Sequence, residues 1–133
     1  MSCWCHVAAV IRIDDIRVDE TQPVDWDELI GKECIWGSGK WEDYKANPDK
    51  YLPMGSEGSL QKSVWVNPDL SHCAAYVVTI FGDLRDCYKE DADEIIKWFK
   101  AKCKQFGLSI RQAMITVNYE YGIASWTYRE EES

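Results

Sequence analysis

The sequence predicts an α+β fold: a mostly antiparallel sheet of about five strands, with one main helix and a short helix packed on one face. Short runs of alternating apolar residues are typical of strands with one buried face. One longer run instead places apolar residues three and four positions apart, which is typical of an amphipathic helix. The elements follow the order strand, short helix, long loop, two strands, helix, two strands, so we expect the helices to cover one side of the sheet.

The first half of the chain contains one strand, a short helix and an irregular segment. The strand is predicted over residues 5–13, where every second side chain is apolar. An acidic connection follows and ends in a short helix, with Thr21 or Asp25 as its cap. Residues 33–59 form an irregular, aromatic-rich excursion within a single domain of residues 1–133. A flexible linker is rarely this aromatic, so we expect an ordered excursion with a functional role.

The second half contains four strands and the main helix. Strands are predicted over residues 60–66 and 74–84, and the second of these is apolar on both sides, which favours an interior position in the sheet. Residues 91–106 form the main helix, with acidic residues at its start and lysines toward its end, as the helix dipole favours. Strands over residues 109–119 and 124–129 form a closing hairpin.

The charge balance limits the classes of partner. The 133 residues carry 23 acidic and 15 basic side chains, a net charge of −8. Phosphate binding requires clustered lysine and arginine, so direct binding to nucleic acid or to an anionic membrane is not expected. A basic protein partner is expected instead, because opposite charges accelerate encounter. The same net charge would also keep a protein soluble without any partner.

Acidic residues concentrate in one segment. Residues 14–28 hold seven carboxylates and one arginine, with three tryptophans in or near the segment. Acids beside exposed aromatic rings can bind arginine and lysine side chains. The predicted partner-binding residues are Asp14, Asp15, Asp19, Glu20, Trp26, Asp27, Glu28, Trp36 and Trp41. The alternative is a solvated acidic face whose tryptophans point inward.

The six cysteines and two histidines are the candidates for reactive groups. No export signal or membrane span is visible, which predicts a cytoplasmic protein with free thiols. Weak candidates for a metal site or a cysteine enzyme are Cys5, His6, His72 and Cys73. The two pairs would meet only if their strands ran parallel as neighbours, and their spacing is not that of structural zinc sites. We therefore expect packing roles for these residues, with no catalytic residue and no cofactor.

Four further carboxylates lie near the junction between the third strand and the main helix: Asp83, Asp86, Asp91 and Glu94. Paired carboxylates can bind a cation or transfer protons. The segment lacks the register of an EF-hand loop. Capping of the helix start is the favoured interpretation, with Glu90 or Asp91 accepting from the free amides there.

Three segments resemble a group of short proteins from Firmicutes and their prophages: YLPMGSEGSLQKSVWVNPDL, YVVTIFGDLRD and DEIIKWFKAKC. The resemblance extends over the last two-thirds of the chain and implies a phage or mobile-element setting, without an established activity or site residues. Small acidic proteins in that setting are often inhibitors, such as anti-CRISPR proteins, or toxin-immunity proteins.

These observations lead to three functional hypotheses. The first is an acidic protein-binding module, an anti-CRISPR-like inhibitor that blocks a basic, nucleic-acid-binding surface of a host protein such as a CRISPR nuclease. The second is a toxin-immunity or accessory phage protein that acts as a homodimer through a sheet edge or an apolar face. The third is a small metal or cysteine enzyme.

Overall fold

A computed structural model describes residues 3–15, 24–35, 39–66, 74–106 and 110–128. It confirms the predicted α+β class, with a five-stranded antiparallel sheet, one main helix and short helices. The helices are α1 (Trp26–Leu29), α2 (Trp41–Ala46) and α3 (Lys89–Phe106), and a 3₁₀ turn spans Pro48–Lys50. The strands are β1 (Trp4–Asp15), β2 (Met54–Gly55), β3 (Gly58–Ser59), β4 (Gln61–Val66), β5 (Ala74–Arg85), β6 (Ile110–Tyr119) and β7 (Gly122–Thr127).

The main sheet has the strand order β4-β5-β1-β6-β7, with every neighbouring pair antiparallel. β1 is central, and the alternation in its sequence is realised in its burial: Cys5, Val7, Ala9, Ile11 and Ile13 are all buried. Facing side chains of β5 and β6 join them in one core cluster. β5 lies inside the sheet between β4 and β1, as its two apolar faces predicted.

Helix α3 covers the β6–β7 side of the core. Its buried stripe is Ala92, Ile95, Ile96, Phe99 and Cys103. The Phe99 ring is fully buried and meets the Trp126 ring edge-on, with 5.9 Å between ring centroids. The helix begins two residues before the predicted start, and the Asp91 carboxylate accepts a hydrogen bond from the Tyr88 amide at 2.9 Å. Half of a capping box therefore sets the helix start, which confirms capping for Asp91.

The aromatic excursion is ordered and folds back on itself, as its composition predicted. Lys32 and Tyr51 form a parallel bridge, and the Leu52 amide donates to the Lys32 carbonyl at 2.9 Å. Gly31 permits this approach because it has a φ of +147° and because a Cβ there would lie 2.9 Å from the Leu52 nitrogen. Ile30, Leu52 and Leu60 are fully buried in the core. The excursion is therefore part of the domain's packed layer.

The expectation that all cysteines are free thiols is wrong, because Cys5 and Cys87 form a disulfide. The register of β1 and β5 places Cys5 opposite Leu84, three residues before Cys87. The resulting Cα–Cα distance of 5.4 Å lies within the range that a disulfide spans. The two residues are 82 positions apart in sequence, so no local pattern indicates the bond. Cys3, Cys34 and Cys103 are free, and Cys73 lies outside the described residues.

Within the described part of the chain, no helix is both long enough and apolar enough to span a bilayer.

Candidate functional site

The carboxylates predicted to bind a partner are partly neutralised within the chain. Asp14 forms ion pairs with Arg12 at 3.3 Å and with Arg111 at 3.2 Å. Asp27 pairs with Lys62, whose side chain is only 9% exposed. These two carboxylates already have cationic neighbours, which reduces what each can offer to a partner.

Trp26 lies in the packed layer rather than on an open surface. Its half-buried ring meets Tyr76 edge-on at 5.2 Å and packs against the core. This geometry matches the alternative in which the tryptophans of the acidic segment point inward. Glu28 is exposed on the same short helix, which Asp25 caps by accepting from the Glu28 amide at 3.1 Å.

The side chains of four members of the predicted surface are not described. Asp19, Glu20 and Trp36 lie outside the described residues, and only the backbone of Asp15 is described. Their role in partner binding stays a prediction.

Trp41 belongs to a second group of aromatic residues, in the excursion. Its ring is 40% exposed and lies 5.5 Å from the Tyr44 ring. Lys45 places its Nζ 5.7 Å from the Trp41 ring centroid, a cation–π contact. Tyr44 in turn meets Tyr51 edge-on at 5.7 Å. The row of rings therefore leads from the exposed Trp41 toward the body of the domain.

That row ends in a cleft between the excursion and α3. The cleft has a volume of ≈ 720 Å³, within the range of small-molecule and side-chain binding sites. The excursion supplies its wall from Tyr44 to Ser56, and the opposite wall comes from the end of β5 and from α3. Among the described residues, its charged lining consists of Asp49, Asp86, Asp91, Glu94 and Lys102. Four carboxylates thus face one ammonium group.

The carboxylates are held by local backbone geometry and short contacts. Asp86 has a φ of 58°, the left-handed conformation that aspartate tolerates better than most residues. Asp91 is fixed by its bond to the Tyr88 amide, and Glu94 pairs with Lys97 on the outside of α3 at 3.3 Å. Lys97 partly neutralises Glu94, so the field that attracts cations into this concave surface comes mainly from Asp49, Asp86 and Asp91.

The aromatic wall is fixed by a phenol–carboxylate hydrogen bond. The buried Tyr51 hydroxyl donates to the Asp43 carboxylate, and this bond raises the pKa of Tyr51 to about 12. The same bond holds the pKa of Asp43 below its usual value. Tyr51 therefore stays a neutral phenol with a fixed ring, and Trp98 supplies a further aromatic side chain from α3.

Both walls of the cleft are anchored to one end of the sheet. The Ser56 amide donates to the Arg85 carbonyl at 3.0 Å, and a Cβ on Gly55 would lie 2.7 Å from the same oxygen. On the other side, the Cys87 amide donates to the Cys3 carbonyl at 3.2 Å, beside the disulfide to Cys5. The cleft is therefore a built part of the fold.

The cysteine and histidine candidates do not assemble in the way the metal-site hypothesis required. β1 and β5 run antiparallel, so Cys5 pairs with Leu84 while the first residue of β5, Ala74, pairs with Asp15 at the far end of β1. Cys5 is consumed in the disulfide, and His6 points to the other face, where its Nδ1 lies 2.6 Å from Asp83 Oδ1.

The second candidate pair, His72 and Cys73, lies outside the described residues. Within the described part of the chain, no three His, Cys, Asp or Glu side chains are grouped to hold a metal ion.

Sequence reasoning named three of the cleft carboxylates, Asp86, Asp91 and Glu94, but it favoured capping of the helix start, by Glu90 or Asp91, over a binding site. It missed the cleft itself. The carboxylates share the cleft with Tyr44 and Tyr51, which are about 30 or more positions away in sequence, so no local pattern indicates the site. The available signal was the density of aromatic residues in the excursion, which predicted an ordered and functional segment.

No family model matches the chain, and comparisons with curated proteins and with solved structures likewise found no match.

Proposed function

We propose that the protein is a binding module that holds a basic segment of a partner protein in the acidic cleft. One observation carries the proposal: four carboxylates and three aromatic rings line a single concave site that contains one lysine among its described residues. The net charge of −8 supports the same class of partner.

The lining suits arginine and lysine side chains in particular. A guanidinium group can stack on the Tyr44 or Trp98 ring while it donates paired hydrogen bonds to a carboxylate such as Asp49. The aliphatic stem of either side chain would rest against Pro53 and Met54, which also line the cleft. Trp41 lies next to Tyr44, outside the cleft, and would extend the aromatic contact with the partner segment. It is one of the partner-binding residues predicted from the sequence.

The specific form that we propose is an inhibitor that occupies a basic, nucleic-acid-binding surface of a host protein, such as a CRISPR nuclease. One observation supports it: the acidic charge, which imitates the charge of nucleic acid. The phage or prophage setting that the sequence resemblance implies is an expectation that fits the same role. A protein that competes for a phosphate-binding groove needs clustered negative charge, because that groove is rich in arginine and lysine.

A titration with a short arginine-rich peptide tests the binding proposal. The cleft variant D49N/E94Q removes two lining carboxylates, and E90Q/D93N removes two exposed carboxylates of α3 that do not line the cleft. Both variants lose the same charge, so a difference between them reports on position rather than on net charge. We expect D49N/E94Q to bind about tenfold more weakly, since two ion pairs of about 0.7 kcal/mol each correspond to that factor.

The salt dependence of binding gives a second readout in the same titration. The affinity of the wild type and of E90Q/D93N should fall steeply with added salt, and that of D49N/E94Q should fall less. Equal losses of affinity in both variants would contradict the proposal, because binding would then depend only on the overall charge of the chain.

A further inference from the structure

The sheet has one face that the described helices leave open. Side chains on this face come from alternate positions of all five strands, including Arg12 and Val10 of β1. α3 contacts Trp126 and α1 contacts Tyr76, both of which lie on the opposite face. α2 joins Tyr51 through Tyr44 in the excursion. We call this surface the open face.

Large apolar side chains are exposed on the open face. Trp65 of β4 is 54% exposed, Phe81 of β5 40%, Met114 of β6 50% and Ile123 of β7 67%. The register places Phe81 beside Ala8 of β1, with Met114 one row further along beside Val10. An apolar patch that continues across neighbouring strands marks an interaction surface more often than a chance exposure.

Among the side chains that the structure describes, the charges of the open face lie at its two ends. At one end, Arg12 and Arg111 flank Asp14, which leaves one positive charge in excess. At the other end, Asp83 is hydrogen-bonded to His6, and Arg85, which the register places on the same face, is neutralised by an ion pair with Glu57, so the Asp83 carboxylate gives this end its negative charge. His6 and Arg12 are six positions apart on β1, so about 20 Å separates the two ends.

We propose that the open face binds a second copy of the same chain, with the strands of the two sheets reversed relative to each other. A two-fold axis of this kind places the Arg12 end of one copy over the Asp83 end of the other, twice per dimer. The chain has a net charge of −8, so most of its surface repels a second copy. The open face is the exception, because its two charged ends complement each other.

The central rows complete the interface. Phe81 and Met114 of each copy would interdigitate with uncharged neighbours such as Thr79 and Thr116, since packed sheets lie about 10 Å apart. The acidic cleft lies on the helix-bearing side of the sheet, so the dimer presents two outward clefts. Such a dimer would bind a partner with two basic segments more tightly than a single copy would.

Sedimentation and light scattering of the full chain test the assembly. The wild type should have about twice the monomer mass of 15.4 kDa at tens of micromolar protein. Phe81→Glu should shift the mass to that of the monomer. Leu29→Glu is the matched control, because Leu29 is also 40% exposed but lies on α1 at the other side of the sheet. A circular dichroism melt confirms that each variant is folded.

A charge exchange between variants tests the reversed arrangement. Arg12→Glu and Asp83→Arg should each weaken dimerisation at least about tenfold. Mixed together, the two variants should form a heterodimer of near wild-type affinity. The carboxylate introduced in one variant would then face the arginine introduced in the other, while the second charged contact of the dimer keeps its native pair.

Two results would overturn the proposal. A wild-type chain that remains monomeric at about 100 µM leaves no self-association to explain. A dimer that Phe81→Glu leaves intact, or that the mixed charge variants fail to restore, uses another surface or another orientation. Neither result affects the proposal that the cleft binds a basic peptide. That proposal is tested separately, by titrating D49N/E94Q and E90Q/D93N with the peptide.

Discussion

Loss of the disulfide between Cys5 and Cys87 should lower the free energy of unfolding by a large amount. The bond joins residues 82 positions apart. A crosslink of that span removes chain entropy from the unfolded state worth about 4.5 kcal/mol at 25 °C in the loop-closure treatment. Since domains are stable by only about 5–15 kcal/mol, the bond would account for a substantial share of the total.

Urea unfolding with and without dithiothreitol measures this effect. With a denaturant slope of about 1.5–2 kcal/mol per molar urea, the midpoint should fall by about 2–3 M on reduction. The variant C5A/C87A should unfold near the midpoint of the reduced wild type and should not respond to the reductant. Thiol titration of unfolded, unreduced protein should detect no more than four of the six cysteines.

A wild-type midpoint that is the same with and without reductant would refute the reasoning. So would six reactive thiols in protein that has never been reduced, because the sheet register would then bring Cys5 and Cys87 close without joining them.

Three further changes are expected to follow from the described contacts. Phe99→Ala should destabilise the fold by about 3–5 kcal/mol in urea titrations, since the ring is fully buried, whereas Lys100→Ala on the exposed side of α3 should have little effect. Trp26→Ala should cost about 2 kcal/mol, an intermediate value because its ring is half-buried; an unchanged melting temperature would return Trp26 to the exposed partner surface. The raised pKa of Tyr51 means that its bond to Asp43 contributes stability below about pH 10, and that this contribution is lost as the pH rises toward about 12. Tyr51→Phe should lack that alkaline loss, and an identical pH profile in both proteins would contradict the assignment.

The elements that sequence patterns predicted well are those whose burial is periodic. β1 alternates from Cys5 to Ile13, and α3 buries every member of the predicted stripe from Ala92 to Cys103. These periods are local properties of the chain, so they can be read without knowledge of the tertiary structure. α3 begins two residues before its predicted start. The hydrogen bond from the Tyr88 amide to Asp91 caps the helix there, and the apolar stripe gives no indication of this cap.

The candidate site was less accessible to sequence reasoning because it depends on long-range contacts. Asp86 and Glu94 line the same cleft as the excursion because Gly55 packs closely against the end of β5. The disulfide likewise joins positions that only the antiparallel register brings together. Charge density drew attention to residues 14–28 instead, and the ion pairs of Asp14 and Asp27 show why density alone is an incomplete guide.

A two-dimensional ¹H–¹⁵N correlation map of the protein during titration with the arginine-rich peptide would locate the binding surface. The account predicts that the shifts concentrate on Asp91, Glu94, Trp98 and the Tyr51–Ser56 wall of the cleft, and that the Trp98 indole N–H is among the most perturbed signals. Shifts centred on Asp27 and Glu28, or on the open face around Phe81, with the Trp98 signals unmoved, would contradict it.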